Sequence, residues 1–300
     1  MVKPIITNKI GVIVDSFQVG VKEGLRKAKE AGADGVQIYA VQGELDPANI
    51  SPSARREWKE YIASLGLEIS ALVGDLGGHG FQDPAQNRAK IEKSKRIMEL
   101  AKELGTDIVT THIGIVPSDH TSKIYETMHI ACEELSRYAH EMNSYFAIET
   151  GPEPAARLKT FLDGLGSKGV SVNFDPANMV MVTGDDPVQG VHTLKDYIVH
   201  THAKDGLKLA DIDPRDVYGQ YGYEAPALDH EKMAEMAETG SAFREVPLGA
   251  GSVDWNNYLQ ALNDIGYTGF LTIEREVGTN PEEDIRQAVN FLKGFRVWAR

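Results

Sequence analysis

The sequence predicts an α/β chain folded as a (β/α)8 TIM barrel. Three observations carry that prediction. Short runs rich in apolar and β-branched residues alternate with longer runs of helical period from end to end, the pattern of parallel βαβ units. Eight such units fit into 300 residues, and α/β barrels of ~250 residues commonly stand as one domain. No GxGxxG follows the first strand candidate, as a doubly wound dinucleotide-binding sheet would require.

Strands are expected at 10–14, 35–39, 68–73, 108–112, 146–149, 170–174, 198–202 and 269–274. Helices are expected at 21–31, 54–65, 87–104, 122–142, 155–165, 255–265 and 282–298, where apolar residues such as Ile97, Leu100 and Leu104 recur at three- and four-residue spacing. Gly32, Gly66, Gly105 and Gly266 stand just past four of these runs, where a helix stop needs a left-handed residue. Residues 1–300 thus read as a single barrel domain with one irregularity. The stretch 206–251 is a long insertion, expected to shape the substrate pocket or an oligomer contact. It holds Tyr218-Gly219-Gln220-Tyr221-Gly222-Tyr223, read as a lid or an interface, and a short helix at 230–238.

Composition narrows the function. The formal charge is −13, from 44 acidic against 31 basic residues, and no basic stripe is present, which argues against a nucleic-acid partner. Cys132, the only cysteine, cannot form an intrachain disulfide and reads as a packed small hydrophobe. No apolar run approaches the ~20 residues of a bilayer span, and residues 1–11 lack signal-peptide architecture. A cytoplasmic protein without membrane partner is expected, with a homo-oligomer left open.

Barrel active sites form at the carboxyl ends of the strands, so the residues that end each apolar run matter most. Strand four ends Thr110-Thr111-His112 and strand five Ala147-Ile148-Glu149. Strand six ends Asn173-Phe174-Asp175, strand seven Val199-His200-Thr201-His202, and strand eight Thr272-Ile273-Glu274. Three carboxylates ~4 Å apart would repel by ~4 kcal/mol per pair at an effective dielectric of ~20. A bound dication replaces that repulsion with attraction; without one, a carboxyl must protonate or pair with Lys204 or Arg275. Glu149, Asp175, His202 and Glu274 are therefore the expected ligands of one divalent metal. Three oxygens and one imidazole suit Mn²⁺ first, with Mg²⁺, Co²⁺ and Zn²⁺ as alternatives.

Neighbouring residues have competing readings. His112 either contacts substrate hydroxyls or makes a structural hydrogen bond. Lys204 either binds an oxyanion or pairs with a glutamate ligand. Arg275 or Glu276 is expected to orient a ligand. His200 is expected to face away from His202 as a buried structural residue. His79, in Gly77-Gly78-His79-Gly80 after strand three, is a candidate loop contact, and Trp58, Trp255 and Trp298 read as packing residues.

The segments Glu149-Thr150, Phe174-Asp175-Pro176-Ala177-Asn178, His200-Thr201-His202-Ala203-Lys204-Asp205 and Ile273-Glu274-Arg275-Glu276 resemble the xylose-isomerase-like barrel superfamily. Glu245-Val246-Pro247-Leu248-Gly249-Ala250-Gly251-Ser252-Val253-Asp254-Trp255 adds to the resemblance, which covers nearly the whole chain. That group includes sugar and sugar-phosphate isomerases, ketose 3-epimerases, inosose dehydratases and endonuclease IV. The resemblance implies a divalent-metal-dependent isomerase or epimerase of a sugar, sugar phosphate or keto-sugar. Glu149 and Glu274 would serve as both ligands and acid/base groups, removing and returning a proton through an enediolate stabilised by the cation. His112, Lys204, Asn178 and Arg275 are the implied substrate contacts. Ketose 3-epimerases carry a histidine where Asn178 stands and an arginine after the histidine ligand, where this chain reads Gly206-Leu207-Lys208. The downstream Asp-x-His pair of endonuclease IV is replaced by Asp229-His230, which argues against DNA cleavage. A lyase using the same site (inosose-type dehydration or cleavage of a 3-keto-glycoside) is the alternative, and a non-catalytic sugar-binding subunit is a third reading.

Overall fold

The computed structural model describes residues 3–219, 230–240 and 242–296. Seven strands, β1 (Ile10–Ile13), β2 (Gly35–Tyr39), β3 (Glu68–Val73), β4 (Ile108–Thr111), β5 (Tyr145–Glu149), β6 (Val170–Phe174) and β7 (Ile198–Ala203), precede two strands of the insertion. These are β8 (Asp205–Lys208) and β9 (Phe243–Val246), and β10 (Leu271–Ile273) follows. β1 to β7 and β10 close into a barrel in which each strand pairs in parallel with its neighbours, β10 lying between β7 and β1. The strand expectations hold to within two residues at each end.

Around the barrel run α1 (Val21–Ala31), α2 (Pro52–Ser64), α3 (Pro84–Leu104), α4 (Lys123–Glu141) and α5 (Ala155–Asp163). After them come the single turn α6 (Pro176–Asn178), α7 (Pro187–Leu194), α8 (Pro214–Tyr218), α9 (His230–Thr239), α10 (Trp255–Asp264) and α11 (Pro281–Lys293). A repeated dipeptide starts many of them. Ser51-Pro52, Asp83-Pro84, Asp175-Pro176, Asp186-Pro187, Asp213-Pro214 and Asn280-Pro281 each place a side-chain oxygen on a backbone amide of the first turn. The cap satisfies an orphan donor, and proline fits the next position because it has no N–H to lose there. Gly32, Gly66, Gly105 and Gly266 adopt positive φ, as a helix stop demands.

Apolar side chains fill the layer between strands and helices. Leu25, Ile97, Leu100, Leu135, Phe161 and Tyr258 are buried there together with Trp58 and Trp255. Cys132 is buried, and desolvation pushes its thiol up to about 12, which makes it a packing residue. The barrel interior below its carboxyl end is polar instead. His200 contacts Asn173 Oδ1 at 2.8 Å and Thr272 Oγ1 at 3.0 Å, while Gln37 Nε2 donates to Thr110 Oγ1 at 3.0 Å.

In the insertion, β8 and β9 form an antiparallel pair that the sequence reading did not anticipate. Helix α9 stands where a helix was expected. Of the tyrosine–glycine cluster, positions 220–223 lie outside the described residues, as does Trp298. No helix among the described residues is long and apolar enough to cross a membrane.

Candidate metal centre and active-site cavity

Four strand ends bring Glu149, Asp175, His202 and Glu274 together. One ligand atom from each lies within 4.8 Å of all the others. A shell of oxygen ligands ~2.1 Å from a small dication places opposite atoms ~4.2 Å apart, so small side-chain adjustments would close the group on an ion. Glu149 ends β5, Asp175 follows β6, His202 lies in β7 and Glu274 follows β10. The set therefore depends on barrel closure. Its members are separated by 26, 27 and 72 positions in the chain.

Three of the four ligands, Asp175, Glu149 and His202, are aimed by a second contact. Asp175 Oδ1 caps α6 by accepting from the Asn178 amide at 2.9 Å, which turns Oδ2 toward the cluster. Asn178 Nδ2 donates to Glu149 Oε1 at 2.8 Å. His202 Nε2 faces Gln37 Oε1 at 3.2 Å, so the tautomer that donates there keeps a lone pair on Nδ1. Nδ1 in turn stands 3.1 Å from Glu274 Oε2 and 3.6 Å from both Glu149 Oε2 and Asp175 Oδ2.

The fit to a cation rests on what these atoms lack. Asp175 Oδ2, His202 Nδ1 and Glu274 Oε2 are all buried and none makes a hydrogen bond of good geometry, although Lys204 Nζ stands 3.2 Å from Glu274 Oε2. Buried polar atoms are rarely left so, and here three of them face one point. Electrostatics agrees. Burial works to lower the pKa of His202, but the Glu274 and Glu149 carboxylates outweigh it and raise it well above its ordinary value. Burial works to raise Glu274, and Lys204 and His202 overcome it and hold it below the usual carboxylate range. The cluster demands positive charge, whether from a proton on His202 or from a metal ion.

Above the cluster opens a cavity of about 330 Å³. Glu149, His202, Glu274, His112, Asn178 and Lys204 line it, with Tyr39, Asp75, Tyr218 and Glu276. A family model described as a xylose isomerase-like TIM barrel matches residues 25–295.

The chain belongs to the xylose isomerase-like TIM-barrel family.

A ketose 3-epimerase of Arthrobacter globiformis is 25% identical to this family member over 261 residues, covering 85% of this chain and 77% of that protein. Among solved structures, a xylose isomerase domain protein of Planctomyces limnophilus superposes with a TM-score of 0.74 at 24% identity over 98% of both chains. A probable 3-DHS dehydratase of Bacillus anthracis gives 0.71 at 18% identity, over 95% of this chain and 98% of the other. The structural likenesses speak for the fold.

Most residues singled out from the sequence of this xylose isomerase-like barrel reach the cavity. His112 does so through Asp75, whose Oδ2 lies 3.0 Å from its Nδ1, leaving Nε2 3.8 Å from Glu149 Oε1. Burial would lower its pKa, but Glu149 and Asp75 lift it to about 10. Lys204, only 4% exposed, pairs with Glu276 and lies 3.2 Å from Glu274 Oε2.

Arg275 is a correction. Its guanidinium bonds to Glu245 at 2.6 Å and Asp284 at 2.8 Å and does not line the cavity, because the residue after an inward-facing glutamate points outward. His200 is another. It shares the interior with His202, the rings 5.7 Å apart, since residues two apart on a strand face the same side. Its role as a buried structural residue stands. Gly77, Gly78 and Gly80 line the cavity, whereas His79 does not.

Sequence reasoning missed Gln37, Tyr39 and Asp75. Gln37 and Tyr39 belong to β2, whose apolar run carries no terminal acid to draw the eye. Asp75 follows β3 by two residues, so a search of strand ends alone passes over it.

Proposed function

We propose that this protein is a divalent-metal-dependent isomerase or epimerase of a sugar, sugar phosphate or keto-sugar, with Glu149 and Glu274 as its acid/base pair. The observation that carries this reading is the placement of two glutamates in one ligand cluster at the floor of the cavity. A binding protein needs no second proton-transfer group. The ketose 3-epimerase relative supports the reaction class, and the oxygen-rich donor set favours Mn²⁺.

A dication held by the four side chains would polarise a substrate carbonyl and acidify the neighbouring C–H. The protein's own groups do the rest. One glutamate takes the carbon-bound proton and the other supplies a proton to the opposite face, inverting that centre. Asn178 keeps Glu149 aimed through its 2.8 Å hydrogen bond, and Lys204 steadies the charge on Glu274. The same reading takes residues 1–300 as one domain.

The test is a screen of ketoses, ketose phosphates, inososes and 3-keto-glycosides in D₂O with added Mn²⁺, followed by NMR. Solvent deuterium should enter one C–H position of the true substrate. Loss of water or of an aglycone would mark a lyase instead. Glu149→Gln and Glu274→Gln should each lower exchange by about 10²–10⁴-fold, the usual effect of losing an acid/base group, and further where metal binding also weakens. Retention of most activity by either variant would show that the pair does not share the proton transfer.

A further inference from the structure

We propose that Tyr218, carried in by the 206–251 insertion, touches the substrate of this centre: its phenol donates to a substrate oxygen beside Glu149, and its ring closes the cavity over His112. This rests on the isomerase or epimerase reading above. Among the described residues, Tyr218 is the one member of the insertion that lines the cavity. It ends α8, whose start is set by Pro214 and by Asp213 Oδ1, which accepts from the Arg215 amide at 2.9 Å. Val217, 2% exposed, anchors this short helix in the core, and the tyrosine beside it reaches the cavity.

Two neighbours fix where the phenol ends. Its ring centre lies 6.1 Å from that of His112, with the planes tilted by 34°. Its hydroxyl enters the space beside Gly151, two residues past Glu149. A Cβ on Gly151 would stand 2.7 Å from Tyr218 Oη and 2.5 Å from Asn178 Cβ. Gly151 also has a φ of 134°, which residues with side chains rarely adopt. Even an alanine there would press on both the tyrosine and the asparagine that donates to Glu149. One glycine thus serves the aim of the acid/base group and the seat of the phenol together.

The hydroxyl is available to a ligand. Among the described residues, none is hydrogen-bonded to it, although a buried tyrosine hydroxyl usually finds a partner. Burial first, and then the Glu149 carboxylate, raise its pKa well above 10, so it keeps its proton. Asp75, Glu149, Glu274 and Glu276 line the same cavity and can accept from sugar hydroxyls, but a carbonyl or enediolate oxygen needs a donor. Lys204 is held by Glu276 and Glu274. The phenol supplies a donor without adding charge.

The experiment compares the full chain with Tyr218→Phe and Tyr218→Leu, each loaded with Mn²⁺, on D-fructose, D-tagatose and D-psicose. C–H exchange in D₂O, calorimetric sugar binding and Mn²⁺ affinity are measured. Tyr218→Phe keeps the ring and should lower kcat/KM about tenfold, the scale of one hydrogen bond left unmade, with Mn²⁺ affinity unchanged. Tyr218→Leu should lose more, mainly through KM, because the wall over His112 goes with the ring. In protein labelled with 3-fluorotyrosine, the resonance that vanishes in Tyr218→Phe should shift when sugar binds. Undiminished exchange in Tyr218→Phe, or a resonance that stays in place while sugar binds, would overturn the proposal and leave the reaction class standing. Binding that shifts the resonance and weakens in Tyr218→Phe, without exchange in any of the proteins, would sink the reaction class and leave the contact standing. If none of the three sugars binds, both fail.

Discussion

At the level of single residues, the site depends on side chains that aim the ligands as much as on the ligands. Gln37 Oε1 and Asn173 Nδ2 both lie 3.2 Å from His202 Nε2, and the tautomer that donates to Gln37 keeps Nδ1 available toward the carboxylates. Gln37→Leu should lower Mn²⁺ affinity about 10- to 100-fold, the usual effect of losing such a partner, with the fold unchanged. Competition against a fluorescent chelator measures this, and an unchanged affinity would mean that Gln37 does not set the tautomer. Glu153 offers a prediction away from the ligands. Its carboxyl is buried, accepts from the Val116 amide at 2.9 Å, and is pushed by desolvation from 4.5 up to about 7. Because the unfolded chain releases this proton first, the stability carried by the neutral form is intact below pH 4.5 and is lost as pH rises toward 7. The loss should reach about 3 kcal/mol at pH 8. Glu153→Gln keeps an acceptor for Val116 and does not titrate. Its urea midpoint should match the parent near pH 4.5 and exceed it at pH 8. A difference independent of pH would contradict the assignment.

At the level of elements, the insertion is held to the barrel by one buried carboxylate. Asp205 gathers five donors, three from the two ends of the 206–251 segment (Gly206, Gly249 and Gly251) and two from Val253 and Trp255 just beyond it. Asp205→Ala would leave them unpaired and should cost about 3 kcal/mol or more. Proteolysis should then reach the β8–β9 pair before the barrel opens; cleavage that tracks only global unfolding would deny the anchoring role. The alternation of strand and helix was legible in the sequence because each strand is buried on both faces and each helix on one, so their periods differ. Three strands match their expected bounds, and α1 matches at both ends. Helix α7 was passed over although Asp186-Pro187 starts it with the same capping dipeptide as its neighbours, because at eight residues it shows scarcely two turns of periodicity. The β8–β9 pair was not legible either. Its partners are separated by more than thirty residues, and β8 shares its run of sequence with β7. Within the site, the four expected ligands do converge, since each ends an apolar strand. Arg275 was misplaced because adjacency in sequence to Glu274 says nothing of facing, and strand alternation turns it to the opposite side.

At the level of the whole molecule, barrel closure converts distant residues into one centre, so ligand binding and global stability should be linked. An ion that binds only the folded chain stabilises it by about 2.7 kcal/mol at 100 times its dissociation constant. The chain's excess of acidic residues adds little to that selectivity, because surface charge is screened within about 8 Å at physiological salt. The four buried ligands are not screened in that way. The most direct measurement is therefore anomalous diffraction at the manganese edge from crystals grown with Mn²⁺. One strong peak enclosed by Glu149, Asp175, His202 and Glu274, each within about 2.3 Å, is the result expected. A map without a peak there, or with the ion held by other residues, would contradict the account.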